Sequence, residues 1–161
     1  FRKESFILPD GKEFSPFYNY SRRNFVVIIA KTKDGKYITV RQFRHGLKKV
    51  TTEFCAGGIE GSEHESALLA AKRELEEETG YISDNWKHIY TIPSNPTIAD
   101  NYAFLYYADN CEKVSNQHLD STEFLEVKEY TEDEINDLIK NNEFVQPIHL
   151  MGWLMVKKGV L

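Results

Sequence analysis

An acidic helix constrains this chain more than any other segment. A nine-residue run beginning at Arg73 reads R-E-L-E-E-E-T-G-Y, and Glu65 lies eight residues before it. At about 100° per residue in an α-helix, Glu74, Glu77 and Glu78 fall on one face. These like charges repel one another, whereas a solvated face usually mixes its charge signs. A divalent cation would remove the repulsion, because hard cations such as magnesium bind carboxylate oxygens, usually together with substrate phosphates.

A second face of the same helix is apolar, which predicts that it packs on a core. We expect Ser62 to cap the helix, with Glu65 at the third position completing a capping box. Gly80 is the expected stop. The alternative for an acidic helix is an ordinary solvated surface. The residues of the apolar face are Leu68, Ala71, Leu75 and Thr79.

The spacing of these residues resembles the Nudix box, G-x5-E-x7-R-E-U-x-E-E-x-G-U, where U is a bulky apolar or aromatic residue. Strict spacing would place the first glycine at Ile59, whereas the glycines are Gly57 and Gly58, so the loop of residues 59–64 is one or two residues longer than the pattern. The resemblance implies an α/β fold, a Nudix-type α/β/α sandwich with a mixed central sheet. The matching residues are Glu65, Arg73, Glu74, Leu75, Glu77, Glu78, Gly80 and Tyr81.

The remaining pattern predicts a single domain over residues 1–161, opened by a β-hairpin at residues 1–20. We expect the polar stretch 109–121 to be a loop. Thr131 and Pro147 should begin two C-terminal helices, ending near residue 142 and before Gly159. Strands are expected at residues 5–8, 13–20, 25–31, 37–43, 51–56, 86–92, 102–108 and 123–130.

Composition narrows the class of partner. The net charge of −5 argues against a general nucleic-acid binder, which needs a basic surface. No apolar run approaches the length of a membrane span. Two cysteines, Cys55 and Cys111, are too few for a disulfide framework. We therefore expect a cytoplasmic protein without membrane or nucleic-acid partners, and the resemblance to the Nudix family implies that its partner is a small-molecule nucleotide.

Three further segments resemble the ADP-ribose pyrophosphatase branch of the Nudix family. They are the strand V-R-Q-F-R from Val40, the segment E-F-C-A-G-G-I-E from Glu53, where Cys55 replaces a proline, and E-F-L-E-V from Glu123. The loop 93–101 departs from that branch, because Asn101 stands where an acidic residue is common. Asp100 is a partial replacement, so both are candidate substrate-binding residues. The alternative is a connection fixed by proline with no ligand role.

The resemblance implies a metal centre. Glu74, Glu77, Glu78 and the backbone carbonyl of Ala56 would hold Mg²⁺, with Mn²⁺ as an alternative. Such an ion neutralises developing charge on a pyrophosphate and lowers the pKa of attacking water. Arg73 would orient a box carboxylate, unless it forms only an ordinary surface ion pair.

Other roles stay open at this stage. Glu65 is a cap, an ion-pair partner of Arg73, or both; with Gly58 and Gly80 it is assigned a structural role in the box. For the general base we prefer Glu123, then Asp120, and otherwise a box glutamate. Arg41, Arg44 and the pair Arg22-Arg23 are candidates for phosphate or ribose binding, or are surface charges. The histidines at positions 45, 88, 118 and 149 have no metal-like spacing and are predicted to be structural or solvated.

Three functions compete. The first is metal-dependent hydrolysis of the pyrophosphate bond in ADP-ribose or another nucleoside diphosphate sugar. The second is hydrolysis of a nucleoside triphosphate or dinucleoside polyphosphate, and the third is a ligand sensor without catalysis. A sensor predicts damaged box carboxylates, and none is damaged. The aromatic-rich hairpin 1–20 predicts a homodimer, since an isolated hairpin is marginal in water and the branch that the chain resembles dimerises through this region.

Overall fold

A mixed β-sheet forms the centre of the protein, as predicted. The computed structural model describes residues 1–60, 66–119 and 124–159. The central order of the sheet is β10-β4-β3-β9-β7, and β5, β6 and β8 pair with β4, β3 and β9. β3 and β9 run parallel, and the other pairs are antiparallel. The strands are β3 (Phe25–Thr32), β4 (Tyr37–Arg44), β5 (Lys49–Glu53), β6 (Cys55–Gly58), β7 (Tyr81–Ile82), β8 (Asn85–Pro93), β9 (Tyr102–Lys113) and β10 (Glu126–Tyr130).

Helices cover both faces of this sheet. Successive side chains of a strand point to opposite faces, so β3 feeds two separate cores. Val26 and Ile28 pack in the core that includes Leu75 of helix α1 (Ala67–Thr79). Val27 and Ile29 pack in the core of α2 (Glu132–Lys140) and α3 (Pro147–Lys157). All four β3 side chains are fully buried. The structure thus has the predicted α/β/α layers.

Helix α1 begins later than the sequence pattern indicated. Its N-cap is Ser66, whose hydroxyl accepts a hydrogen bond from the Leu69 amide at 3.2 Å. The prediction that Ser62 caps this helix with Glu65 at the third position is therefore wrong, because a second serine four residues on supplies the same hydroxyl. At the other end, Gly80 adopts the left-handed conformation (φ 76°) and stops the helix as predicted.

The C-terminal helices match their sequence signals. Thr131 and Glu134 form a reciprocal capping box at the start of α2. Pro147 occupies the first turn of α3, where its missing amide hydrogen has no cost. Within the described ranges, no helix combines the length and apolar character that a membrane crossing requires.

Two strand predictions need correction. The stretch 109–121 is not all loop, because β9 continues to Lys113 and pairs there with β7. Its polar residues are compatible with a strand because Cys111 is buried while its neighbour Glu112 is exposed. The predicted strand 51–56 is two strands, β5 and β6, separated at the buried Phe54.

The N-terminal hairpin stands apart from the main sheet. It consists of β1 (Arg2–Ile7) and β2 (Glu13–Asn19), which pair antiparallel in a two-stranded sheet of their own. Phe6 and Phe14 pack against each other at 5.3 Å between ring centroids, yet each remains 45% exposed. The hairpin is fastened to the domain by Arg2, which donates to Asp100 at 3.0 Å.

Candidate active site

The acidic face of α1 lies against strand β6. The fit is closest at Gly57, where a Cβ atom would come within 1.9 Å of the Glu74 carboxyl carbon. Any side chain at this position would therefore displace the Glu74 carboxylate. A glycine at 57 is thus required by the position of the carboxylate, whereas a Cβ at Gly58 would meet no atom within 4 Å.

Arg73 joins this face to the loop. Its Nη1 donates to Glu74 at 2.9 Å and to Glu77 at 3.0 Å, and its Nη2 donates to the Gly58 carbonyl at 3.1 Å. One guanidinium therefore holds two box carboxylates and the preceding loop together. Its side chain is 28% exposed, so it is less solvated than a free surface charge.

Among the box carboxylates on α1, Glu78 is the most buried, at 6% exposure. Its Oε2 accepts a hydrogen bond from the backbone amide of Ala56 at 3.3 Å. Ala56 and Glu78 were both predicted as metal ligands, and the structure brings them together. Glu76 is exposed and lies off this face, as its helical position indicates.

The donor set fits a divalent cation in its chemistry. Glu74, Glu77 and Glu78 offer hard oxygens from one helical face, and the missing Cβ at Gly57 leaves room for one of those carboxylates. Among the described residues, no group of three carboxylate, imidazole or thiol side chains is already arranged to hold an ion. Arg73 now bridges two of the three carboxylates, so metal binding requires those side chains to turn toward the ion.

A cleft of about 780 Å³ adjoins the acidic face through residues 56–58. Three arginines line this cleft, and none of the described residues that line it is acidic, although the protein as a whole carries a net charge of −5. A positive cleft beside a carboxylate cluster suits an anion that also binds metal. The lining residues are Tyr20, Ser21, Arg22, Arg23, Phe25, Arg44, Ala56, Gly57, Gly58, Ser94, Asn95, Asn101, Gln146, Pro147, Ile148 and His149.

Arg44 reaches the cleft from a buried ion pair. Its Nε donates to Glu53 at 2.8 Å, and its Nη2 donates to the other carboxylate oxygen. The Glu53 side chain is fully buried. Burial alone would raise the pKa of Glu53, but hydrogen bonds from Arg44 and Thr51 outweigh it and lower the pKa below its usual value. The same hydrogen bond raises the pKa of Arg44, so the pair stays ionised.

His149 lies at the third position of α3 and is only 4% exposed. Its Nδ1 accepts a hydrogen bond from the Phe54 amide at 3.2 Å, which leaves the ring proton on Nε2. Burial is the main cause that lowers the pKa of His149 to about 4; the charge of Glu53 opposes this and that of Arg44 adds to it. The ring is therefore neutral at physiological pH. The sequence carries no local signal for a site role of His149, because its partner is 95 residues away.

Of the other predicted substrate-binding residues, one lies at the cleft and two lie outside it. Asn101 is buried at the cleft, where its amide donates to the Arg23 carbonyl at 2.9 Å. Asp100 does not line the cleft; Ser21 donates to it at 2.7 Å, and this hydrogen bond, with the nearby Arg2, lowers the pKa of Asp100. Arg41 also lies outside the cleft and pairs with Glu126 at 3.2 Å.

Some predicted residues fall outside the described ranges. These are Glu65 in the box and the two candidate general bases, Glu123 and Asp120. Their roles stay predictions from the sequence.

The chain belongs to the Nudix family. The model of the NUDIX domain matches residues 21–149, which include the acidic helix, the loop before it and His149. The resemblance found in the sequence is therefore confirmed, and the chain is a Nudix hydrolase.

Two relatives and one solved structure are similar to this chain. It is 33% identical over 161 residues to an ADP-ribose pyrophosphatase of Bacillus subtilis (strain 168), covering 98% of this chain and 85% of the relative. It is 37% identical over 116 residues to a methanol dehydrogenase activator of Bacillus methanolicus, covering 71% of this chain and 62% of that protein. A crystal structure of an ADP compounds hydrolase matches with a TM-score of 0.81 over 97% of this chain and 83% of that chain. At 20% identity, this last match shows the fold alone.

Proposed function

We propose that this Nudix hydrolase cleaves the pyrophosphate bond of ADP-ribose or a closely similar nucleoside diphosphate sugar, with Mg²⁺ or Mn²⁺ as its cofactor. The observation that carries the proposal is the cleft with three arginines and no acidic residue among its described lining, which meets the carboxylate face at residues 56–58. Arginines bind phosphate oxygens through paired hydrogen bonds. The similarity to an ADP-ribose pyrophosphatase over 98% of the chain supports the same substrate class.

Glu74, Glu77 and Glu78 would hold the metal, together with the Ala56 carbonyl. A bound ion supplies charge neutralisation at the phosphate and a more acidic water. Arg73 fixes two of these carboxylates relative to the loop. Arg44, held by Glu53, presents a fixed positive charge to the cleft.

A substrate panel tests the proposal. ADP-ribose with Mg²⁺ or Mn²⁺ should yield AMP and ribose phosphate, whereas a triphosphate substrate would yield pyrophosphate or inorganic phosphate. Faster turnover of nucleoside triphosphates or dinucleoside polyphosphates than of any nucleoside diphosphate sugar would replace this proposal with the second function.

The metal assignment has a matched pair of variants. Glu77→Gln should lower turnover by orders of magnitude while the melting temperature holds or rises slightly, because relief of repulsion within the carboxylate cluster offsets the loss of the exposed ion pair with Arg73. Glu76→Gln removes the same charge from the exposed neighbour and should leave turnover unchanged. Near wild-type turnover of Glu77→Gln at saturating Mg²⁺ would refute the assignment.

We also propose that the enzyme is a homodimer to which the hairpin contributes. β1 pairs with β2 alone among the described strands, and the aromatic pair on the hairpin remains about half exposed. Such exposed aromatic surface is typical of an interface. Sedimentation showing a monomer at micromolar concentration would contradict the proposal. Cytoplasmic location stays a prediction of the sequence.

A further inference from the structure

The first turn of α3 holds backbone amides that find no acceptor among the described residues. The helix has eleven residues, and its first internal bond runs from the Leu150 amide to the Gln146 carbonyl at 2.9 Å. The amides of Ile148 and His149 precede that bond and have no intrahelical acceptor. Gln146, at the N-cap, makes no side-chain cap. Ile148, His149 and Gln146 all line the cleft.

The His149 side chain adds an independent observation. It is 4% exposed and yet belongs to the cleft lining. Because Nδ1 is occupied by the Phe54 amide, Nε2 carries the proton. Among the described residues, none accepts a hydrogen bond from Nε2. Nε2 is not enclosed by protein, so it opens onto the cleft, where a ligand can accept its hydrogen bond.

The chemistry of this set selects its ligand. The backbone amides of Ile148 and His149 and the Nε2–H of His149 are all donors, and the positive end of the α3 dipole lies at the same place. Arg44, in the same cleft, also only donates. Glu53, the carboxylate whose charge acts on His149, is already occupied by Arg44 and Thr51. A sugar hydroxyl needs an acceptor as well as a donor, whereas a phosphate oxygen needs donors only.

We propose that the first turn of α3 and the Nε2–H of His149 form an oxyanion subsite that holds a phosphate group of the substrate. This proposal deepens the proposed function and rests on it for the identity of the substrate. His149 is a positioning residue: it binds through Nε2 and takes no part in proton transfer. Because the ring is neutral, it contributes a directed hydrogen bond without adding a charge that the nearby Arg44 would repel.

A pair of variants separates binding from structure. In His149→Asn, the amide oxygen can replace Nδ1 as the acceptor for Phe54, but no donor reaches the Nε2 position. In His149→Gln, the longer side chain can place an N–H near the Nε2 position while the Phe54 amide loses its acceptor. We expect His149→Asn to raise KM for ADP-ribose roughly 10- to 100-fold, the scale of one hydrogen bond to a charged group, with little change in the melting temperature. His149→Gln should have a lower melting temperature than wild type but a KM close to that of wild type.

The proposal would be overturned if the variant with the lower melting temperature were also the one that loses activity. That result would give His149 a structural role alone. The KM effect should also exceed any effect on kcat, since the subsite binds substrate and transition state alike.

A direct binding measurement does not depend on hydrolysis. Inorganic phosphate is titrated over the millimolar range into the metal-free protein in EDTA, and the imidazole ¹⁵N signals are followed by NMR, with His149→Asn identifying the His149 signals. We expect a saturable shift of the protonated Nε2 of His149. An unshifted Nε2 in a protein that hydrolyses ADP-ribose would refute the subsite but not the function. A saturable shift in a protein that does not hydrolyse ADP-ribose would refute the function but not the subsite.

Discussion

His149 should make the free energy of unfolding depend on pH, and substitution of His149 should remove this dependence. Burial lowers its pKa to about 4 in the folded protein, against about 6.5 in an unfolded chain. Between these two pH values, the His149 ring therefore binds a proton in the unfolded state but not in the folded state. The stabilising effect is fully present above pH 6.5 and is lost as the pH falls toward 4.

The size of the effect follows from the two pKa values. A full shift of this size is worth about 3 kcal/mol, and the part expressed between pH 7 and pH 5 is about 2 kcal/mol. Urea unfolding at the two pH values should show wild type losing about 2 kcal/mol more than His149→Asn. The comparison cancels the carboxylates that do not interact with His149, and the one that does, Glu53, stays ionised over this range because hydrogen bonds from Arg44 and Thr51 lower its pKa. Equal losses in the two proteins would mean that the His149 ring accepts a proton in the folded state and that the assigned tautomer is wrong.

Three further predictions each compare substitutions at two positions. Gly57→Ala should lower turnover roughly 10- to 100-fold at a nearly unchanged melting temperature, because it displaces only the end of the Glu74 side chain, whereas Gly58→Ala should be close to wild type in the same assay. Arg44→Met should reduce the free energy of unfolding in urea by about 3–5 kcal/mol, because it leaves the buried Glu53 carboxylate without a positively charged partner and with only the Thr51 hydroxyl donating to it. Arg41→Met, which breaks an exposed pair, should change it by at most about 1 kcal/mol. Glu123→Gln should lower kcat roughly 10²–10⁴-fold with KM little changed if Glu123 is the general base, and a full kcat there with a loss in Asp120→Asn would transfer the role to Asp120.

The sequence predicted those features whose signals are local. The continuous apolar run of β3, the apolar stripe of α1 and the glycine at its C-terminus each depend on neighbours within a few residues, so the pattern contains them. The predicted start of α1 was wrong because Ser62 and Ser66 both offer a capping hydroxyl, and propensity alone cannot rank them. The end of β9 was wrong because pairing with β7, and not composition, sustains a polar strand.

The partners of the cleft residues could not be read from the pattern. Arg44 was a candidate phosphate ligand, but nothing in its own strand indicates that Glu53, nine residues on, would be fully buried and hold it. Asp100 was a candidate substrate-binding residue, as a partial replacement for a missing acidic one, but its position beside the N-terminal hairpin pairs it with Arg2 and Ser21. Long-range pairs of this kind depend on how layers pack, which leaves no periodic signal in the sequence.

One short segment positions both halves of the site. From residue 53 to 58, Glu53 holds Arg44, the Phe54 amide holds His149, the Ala56 amide holds Glu78, and Gly57 admits Glu74. Phe54 and Gly57 are three residues apart, roughly 10 Å of extended chain. The same backbone therefore sets the separation between the donors proposed to bind phosphate and the carboxylates proposed to bind metal. If both bind one diphosphate, as proposed, a change of backbone length within residues 53–58 should impair substrate binding and metal placement together, whereas side-chain changes at either end should impair one at a time.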